Sequence, residues 1–182
     1  MLEQRIQQHF FDSADLKYQS AESLSRPIAE AAAALLGAIT GGGKVMVCGC
    51  GQAGALAHHM AVLLVDRFER ERPPLAALAL DAEPAPAKQL QALGHPGDAL
   101  LLLDAGAGGL AREAVTAAHD KEMTVVAIGG ASAGDLASVL AETDVMIAVP
   151  HERVARVLEI QLLALHCLCD AIDIQLLGEQ EP

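Results

Sequence analysis

The chain has 182 residues, enough for one well-buried domain, and 52% of them are hydrophobic while only 2% are aromatic, an Ala- and Leu-rich balance that points to a helix-rich globular protein. With 24 acidic against 12 basic residues the formal charge is −12. That leaves no basic stripe for a phosphate backbone and argues against direct nucleic-acid binding, though not against a basic protein partner. No apolar run reaches the roughly 18 to 20 residues needed to cross a bilayer, and no charged-then-apolar leader opens the chain, so the expectation is a cytoplasmic protein without membrane contact.

In chain order, the first 40 residues read as two helices, about 2–22 and 25–39, the second with Pro27 near its first turn and Gly41-Gly42-Gly43 as its stop. From residue 44, apolar runs of strand length alternate with helical spacing. The runs are "KVMVC" (44–48), "LAALAL" (75–80), "ALLLL" (99–103), "TVVAI" (124–128) and "VMIAV" (145–149); the helical segments are 54–66, 85–93, 108–120, 134–141 and a long final one over 152–177. Strands apolar on both faces belong to a parallel sheet covered by helices on each side, so the class is α/β. The chain divides as one domain over 1–182: N-terminal helices over 1–40, an α/β core over 41–150, and a C-terminal helix and tail over 151–182. The segments "PIAEAAAALLGAI" and "RVLEIQLLALHCLCDAIDIQLL" are apolar around most of their circumference, more than one sheet face covers, which predicts oligomer contacts through these helices. The four cysteines, Cys48, Cys50, Cys167 and Cys169, form two C-x-C pairs that match neither zinc spacing nor a disulfide framework, and they read as buried free thiols.

Ligands of parallel α/β sheets gather beyond the carboxyl ends of the strands, where helix N-termini present free N–H groups. Two loops matter there, "CGCGQAGA" (48–55) and "LDAGAGG" (103–109). Gly49, Gly51 and Gly54 let backbone approach a ligand closely, yet glycine is also needed merely to turn. Asp81 stands where a dinucleotide fold places its ribose-binding acid, but the strands are too few for a dehydrogenase.

The stretches "GGGKVMVCGCGQAGALAHHMAVLLVDRFERERPPLAALAL", "ALGHPGDALLLLDAGAGG", "AAHDKEMTVVAIGG" and "VPHERVARVLEIQLLALHCLCDAID" resemble, in order, the sugar isomerase (SIS) domain proteins of the phosphoheptose isomerase group, and within it most of all the DiaA type, which associates with the replication initiator DnaA. The resemblance implies a three-layer, flavodoxin-like α-β-α sandwich with a five-stranded parallel sheet, a homotetramer, and ligand loops shared between subunits. It also implies one of two activities: interconversion of sedoheptulose 7-phosphate with a heptose phosphate, or a non-enzymatic scaffold for DnaA.

Departures from the isomerase pattern bear on that choice. In the family a His with a Glu four residues on, and a Gln with a His eight residues on, hold zinc or move protons; here those positions read His59, Leu63, Leu158 and His166. Leu63 and Leu158 neither carry a proton nor bind a metal, and two imidazoles fall short of a zinc ligand set. His58 points about 100° away from its neighbour on a helix. The family's loop hydroxyls are replaced by Gln52-Ala53-Gly54 in the first loop and Asp104-Ala105-Gly106-Ala107-Gly108-Gly109 in the second, where Asp104 opposes a phosphate charge. The connection over 81–90 is shorter than the family's. The expectation is therefore a catalytically inactive scaffold. It has no metal or other cofactor, only vestigial phosphate loops (Gly49, Gly51, Gln52, Ala53, Gly54, Asp104, Gly106, Gly108) with weak phosphosugar binding, and Arg67, Phe68, Leu176 and Leu177 touch a DnaA-type partner. The alternative is a phosphosugar isomerase or phosphosugar-binding regulator with a rearranged site, in which Glu69, Glu71, Glu152 or Glu159 replaces the lost base; the run "ERER" reads more simply as a solvated helix end.

Overall fold

A computed structural model describes residues 1–106, 108–131 and 134–179; Ala107 of the second loop and the tail beyond 179 lie outside them. The elements in order are α1 (Leu2–Thr40), β1 (Val45–Cys50), α2 (Gly54–Val65), β2 (Ala77–Leu80), α3 (Pro86–Leu93), β3 (Ala99–Asp104), α4 (Gly109–His119), β4 (Thr124–Gly129), α5 (Gly134–Ala137), β5 (Val145–Ala148) and α6 (Val154–Leu177). Each apolar run became a strand within two residues of the expected bounds. All five strands are parallel in the order β2-β1-β3-β4-β5.

Because successive side chains on a strand face opposite ways, the sheet feeds two cores. Val45, Val47, Leu101, Leu103, Val126 and Ile128 pack with α1, α2 and α6. Met46, Leu100, Leu102, Val125 and Ala127 pack with α3, α4 and Leu136 of α5. The result is the expected three-layer sandwich. The helix at 134 is a single turn ending at Ala137, shorter than the sequence spacing suggests.

The N-terminal segment differs most. The expected pair of N-terminal helices is a single 39-residue helix with Pro27 inside it. Proline there forfeits one backbone hydrogen bond and costs about 3 kcal/mol. Opposing it is a stripe, Leu16, Ser20, Leu24, Ala31 and Leu35, that is buried on both sides of the proline. Burial of each leucine is worth about 1.5 to 3 kcal/mol, so a break that tilted half the stripe off the core would lose more than the proline costs. α1 lies alongside α6 in the same direction: Ser13 Oγ donates to Glu159 Oε2 (2.7 Å), and the Arg156 guanidinium donates to the His9 carbonyl (3.0 Å) and to Glu159.

The run "ERER" is not a solvated helix end. α2 stops at Val65, and Arg72 is buried with its side chain in full contact: Nε donates to Asp173 Oδ1 of α6 (2.6 Å), Nη1 to the Leu64 carbonyl (2.7 Å) and Nη2 to the Leu63 carbonyl (2.7 Å). The last carbonyls of a helix lack intrahelical donors. Arg72 supplies them and fastens the end of α2 to α6. Breaking a buried ion pair from one side leaves an uncompensated charge, so Arg72→Met is expected to cost about 3 to 5 kcal/mol, and Arg72→Met combined with Asp173→Leu clearly less. Chemical denaturation of the two variants checks this; equal losses would contradict the assignment.

Candidate active site

The chain leaves β1 toward β2 on one side, and the sheet continues to β3 on the other, so the carboxyl ends of β1 and β3 form the switch point of the sheet. Glycine is required in the first loop. A Cβ on Gly49 would stand 2.4 Å from the Ala53 carbonyl oxygen and 2.6 Å from Gly54 Cα, and Gly51 turns at φ +65°. Only with both does the chain double back to start α2 at Gly54. The second loop turns at Gly106 (φ +89°) and Gly108 (φ +57°) before α4. Neither helix has a side-chain cap at its N-terminus. Two sets of backbone N–H groups therefore face the crevice, with the partial positive charge of each helix end.

The two loops are tied together. The Ala105 N–H donates to the Cys50 carbonyl (3.3 Å), and Asp104 Oδ1 accepts the N–H of Gly106 (3.0 Å). Gln52 is exposed and Ala53 buried. Asp104, nearly buried, puts a carboxylate within the loop that the family resemblance assigned to phosphate. Glu152 is the one expected substitute base that the fold brings to these loops: with Asp104, Gly106, Gly130 and Val157 it lines a cavity of about 30 Å³, the share of one water. Glu71 instead pairs with Arg67, Glu159 is held by Ser13 and Arg156, and Glu69 lines a surface cleft with Arg70 and Asp170.

The two retained histidines meet. His59 of α2 and His166 of α6, 107 residues apart, place their Nε2 atoms 3.3 Å from each other, with the rings edge to face at 67°. At that distance one imidazole donates and the other accepts, so the pair shares a single N–H. Phe68 stacks on His166, ring centres 5.4 Å apart. His58 turns away as the helical spacing requires, reaching the Gly54 carbonyl (3.1 Å) and Asp81 (3.3 Å). Leu63, one turn along from His59, and Leu158, two turns before His166, pack half-buried against the core.

Zinc does not fit this donor set. A resident zinc takes three or four N, O or S ligands. The pair offers two, the neighbouring family positions are aliphatic, and no group of three or more His, Cys, Asp or Glu side chains among the described residues is placed to hold a metal. What the arrangement can do is move protons: one imidazole accepts while the other donates.

Of the expected contact residues, Arg67 forms an exposed ion pair, Leu176 and Leu177 are partly exposed at the end of α6, and Phe68 belongs to the histidine pair rather than to the surface. Cys48, Cys50 and Cys169 are buried free thiols, but Cys167 is exposed, in the groove between α1 and α6. Cys48 and Cys50 touch at 3.7 Å beneath the first loop; their hydrogen bond pushes the Cys48 thiol up and the Cys50 thiol down. The sequence reading missed Arg72 and Gln161. Gln161 is fully buried and donates to the Asp104 and Ile128 carbonyls, both at 2.9 Å. A lone amide within an otherwise apolar stretch of α6 was the available signal.

Comparison with known proteins bears on function. Residues 9–130 match the SIS domain family model. A protein of Methylibium petroleiphilum named phosphoheptose isomerase is 56% identical over the whole of this chain and 98% of its own length. The structure of phosphoheptose isomerase from Neisseria gonorrhoeae superposes with a TM-score of 0.85 at 33% identity, covering 95% of this chain and 99% of that one. A phosphoheptose isomerase structure from Francisella tularensis gives 0.87 at 36% identity, with 95% and 98% covered. These relatives overturn the expectation of a non-catalytic DnaA-binding scaffold: similarity along nearly the full length is to proteins named as isomerases, and none of the three is described as binding an initiator. The chain belongs to the SIS domain family and, within it, to the phosphoheptose isomerase family.

Proposed function

We propose that this chain is an aldose–ketose isomerase acting on a heptose phosphate of the sedoheptulose 7-phosphate class, with a site rearranged around two histidines. The observation that carries the reading is the 3.3 Å contact between His59 Nε2 and His166 Nε2 in a chain whose full-length relatives bear the isomerase name. Isomerisation lifts a proton from the carbon beside the carbonyl, delivers one to the carbonyl oxygen, and returns through the enediol with no net change in protons. A neutral imidazole lifts and its partner delivers. Each is positioned by its helix, and Phe68 limits the swing of the His166 ring.

The phosphate end of the substrate meets backbone N–H groups in place of hydroxyls. Two uncapped helix ends attract it, and Asp104 opposes it. The chain works as a homotetramer in the cytoplasm, where its free thiols stay reduced. No helix among the described residues is long and apolar enough to cross a membrane. An apolar groove of about 350 Å³ between α1 and α6, lined by Leu24, Ile28 and Leu163, together with exposed Ile6, Phe10 and Phe11 on α1, supports coverage by further copies.

Purified protein incubated with sedoheptulose 7-phosphate is expected to form the aldose phosphate, detectable by NMR. His59→Asn and His166→Asn each reduce kcat by about 100-fold or more with the fold retained, the usual worth of a general acid or base. No turnover by the unaltered protein would sink the reading. Asp104→Asn is expected to lower KM about tenfold by removing like-charge repulsion, about 1.4 kcal/mol; a KM that rises shows instead that the carboxylate aids binding. Light scattering on a sizing column is expected to give four times the 18.9 kDa chain mass, and a monomer at micromolar concentration contradicts the assembly.

A further inference from the structure

We infer that Gln161 is a positioning residue that fixes the gap between the ends of β3 and β4 and thereby sets where the loop that begins with Asp104, Ala105 and Gly106 meets its ligand; this rests on the reading of that loop as the seat of the phosphosugar. Pairing between β3 and β4 ends at Leu103 with Ile128. The carbonyl of Asp104 therefore runs past the ladder on that side, at the point where the chain must splay to form the loop. Gln161 closes the splay from α6. Its side chain is wholly buried, and both N–H bonds of the amide are spent, one on the Asp104 carbonyl and one on the Ile128 carbonyl, at 2.9 Å each.

The amide has one sensible orientation. Reversed, its oxygen would face two carbonyl oxygens with no donor between them. In the observed orientation Oε1 is buried and has no partner among the described residues. A leucine here would have packed without that loss, as the buried Leu165 and Leu168 of the same helix do, so the amide is explained by the two carbonyls it holds. Beyond the clamp the loop carries its own ties, Ala105 to Cys50 and Gly106 to the Asp104 carboxylate. Val157, one helical turn before Gln161 on the same face of α6, forms a wall of the small cavity with Asp104, Gly106 and Glu152. Shifting the clamp shifts that wall. His166 is five residues on, about 140° around the helix from Gln161, so the clamp acts on the loop and not on the imidazole pair.

The test uses the full chain with Gln161→Leu, which removes both donors, and Gln161→Asn, which keeps the amide but shortens its reach by one methylene. Amide hydrogen exchange without ligand reads the loop directly. The peptide spanning 104–109 is expected to exchange about tenfold faster in both variants, with α1 and α2 unchanged. In steady-state turnover of sedoheptulose 7-phosphate, KM is expected to rise about tenfold while kcat stays within about threefold, the split of a residue that acts on binding. Unchanged exchange at 104–109, exchange raised equally throughout the protein, or a fall in kcat at constant KM overturns the inference. If the Leu variant fails to fold, the Asn variant carries both measurements. Absence of turnover by the unaltered protein strikes the phosphosugar reading alone, since the exchange measurement still decides whether Gln161 holds the loop.

Discussion

The packing of α2 on α6 is the contact on which the site depends. α2 issues from the first ligand loop and α6 follows the last strand, so nothing in the local sequence brings them together. They meet because the sheet, apolar on both faces, needs helices on both, and α1, α2 and α6 share one side. Along that contact lie the buried Arg72–Asp173 ion pair, the Met60 and Cys169 sulfurs at 3.6 Å, and the His59–His166 pair. The ion pair is a weak source of net stability, because two charges lost their water to make it. Its contribution is register. A guanidinium with three fixed acceptors admits one placement of the α2 end relative to α6, and that placement is what leaves two imidazoles within hydrogen-bond reach.

The crevice at β1 and β3 shows a balance of opposed terms. A helix N-terminus stabilises an anion by about 0.3 to 1 kcal/mol near the surface and up to about 2 when partly buried. Two such ends offer about 1 to 4 kcal/mol together. The Asp104 carboxylate, with Oδ1 accepting the Gly106 N–H, opposes a bound anion by about 1.4 kcal/mol, the tenfold effect expected of its removal. The terms are of the same order, so the loops as built select weakly for charge. Shape and hydrogen bonding from the backbone then carry more of the recognition. That is why the exact position of the second loop matters more here than it would with several hydroxyls gripping the phosphate.

Much of the fold was legible in the sequence because it follows from patterns a single chain displays. The five strands are unbroken apolar runs, and Gly49 and Gly51 mark a turn that no residue with a Cβ at 49 would permit. What escaped was decided by partners distant in sequence. Pro27 looks like a helix start until the buried stripe from Leu16 to Leu35 shows that the helix has more to lose by breaking. Arg72 sits in a run of alternating charges that reads as solvated, and the carbonyls of Leu63 and Leu64 at the end of α2 and the carboxylate of Asp173 explain its burial. At the site the departures at Leu63 and Leu158 were plain, but the distance between His59 and His166 was not, and judging chemistry from what had been lost led to the scaffold reading.

The loss at positions 63 and 158 has a further physical consequence. Aliphatic side chains there, half-buried against the core, offer no polar group to compete for the imidazoles. The N–H between His59 and His166, partly shielded from solvent, is then the bond that either ring makes with the other. A pair bonded to itself resists a ligand until the ligand offers hydroxyls that replace that bond on both sides. A polyhydroxylated chain does so with adjacent oxygens, whereas an isolated anion at the loops does not. α6 joins both features as one helix of 24 residues: Gln161 ties the ends of β3 and β4 together, and His166, on another face of the same helix, meets His59. The separation of those two points is therefore fixed by the helix and not by the loops.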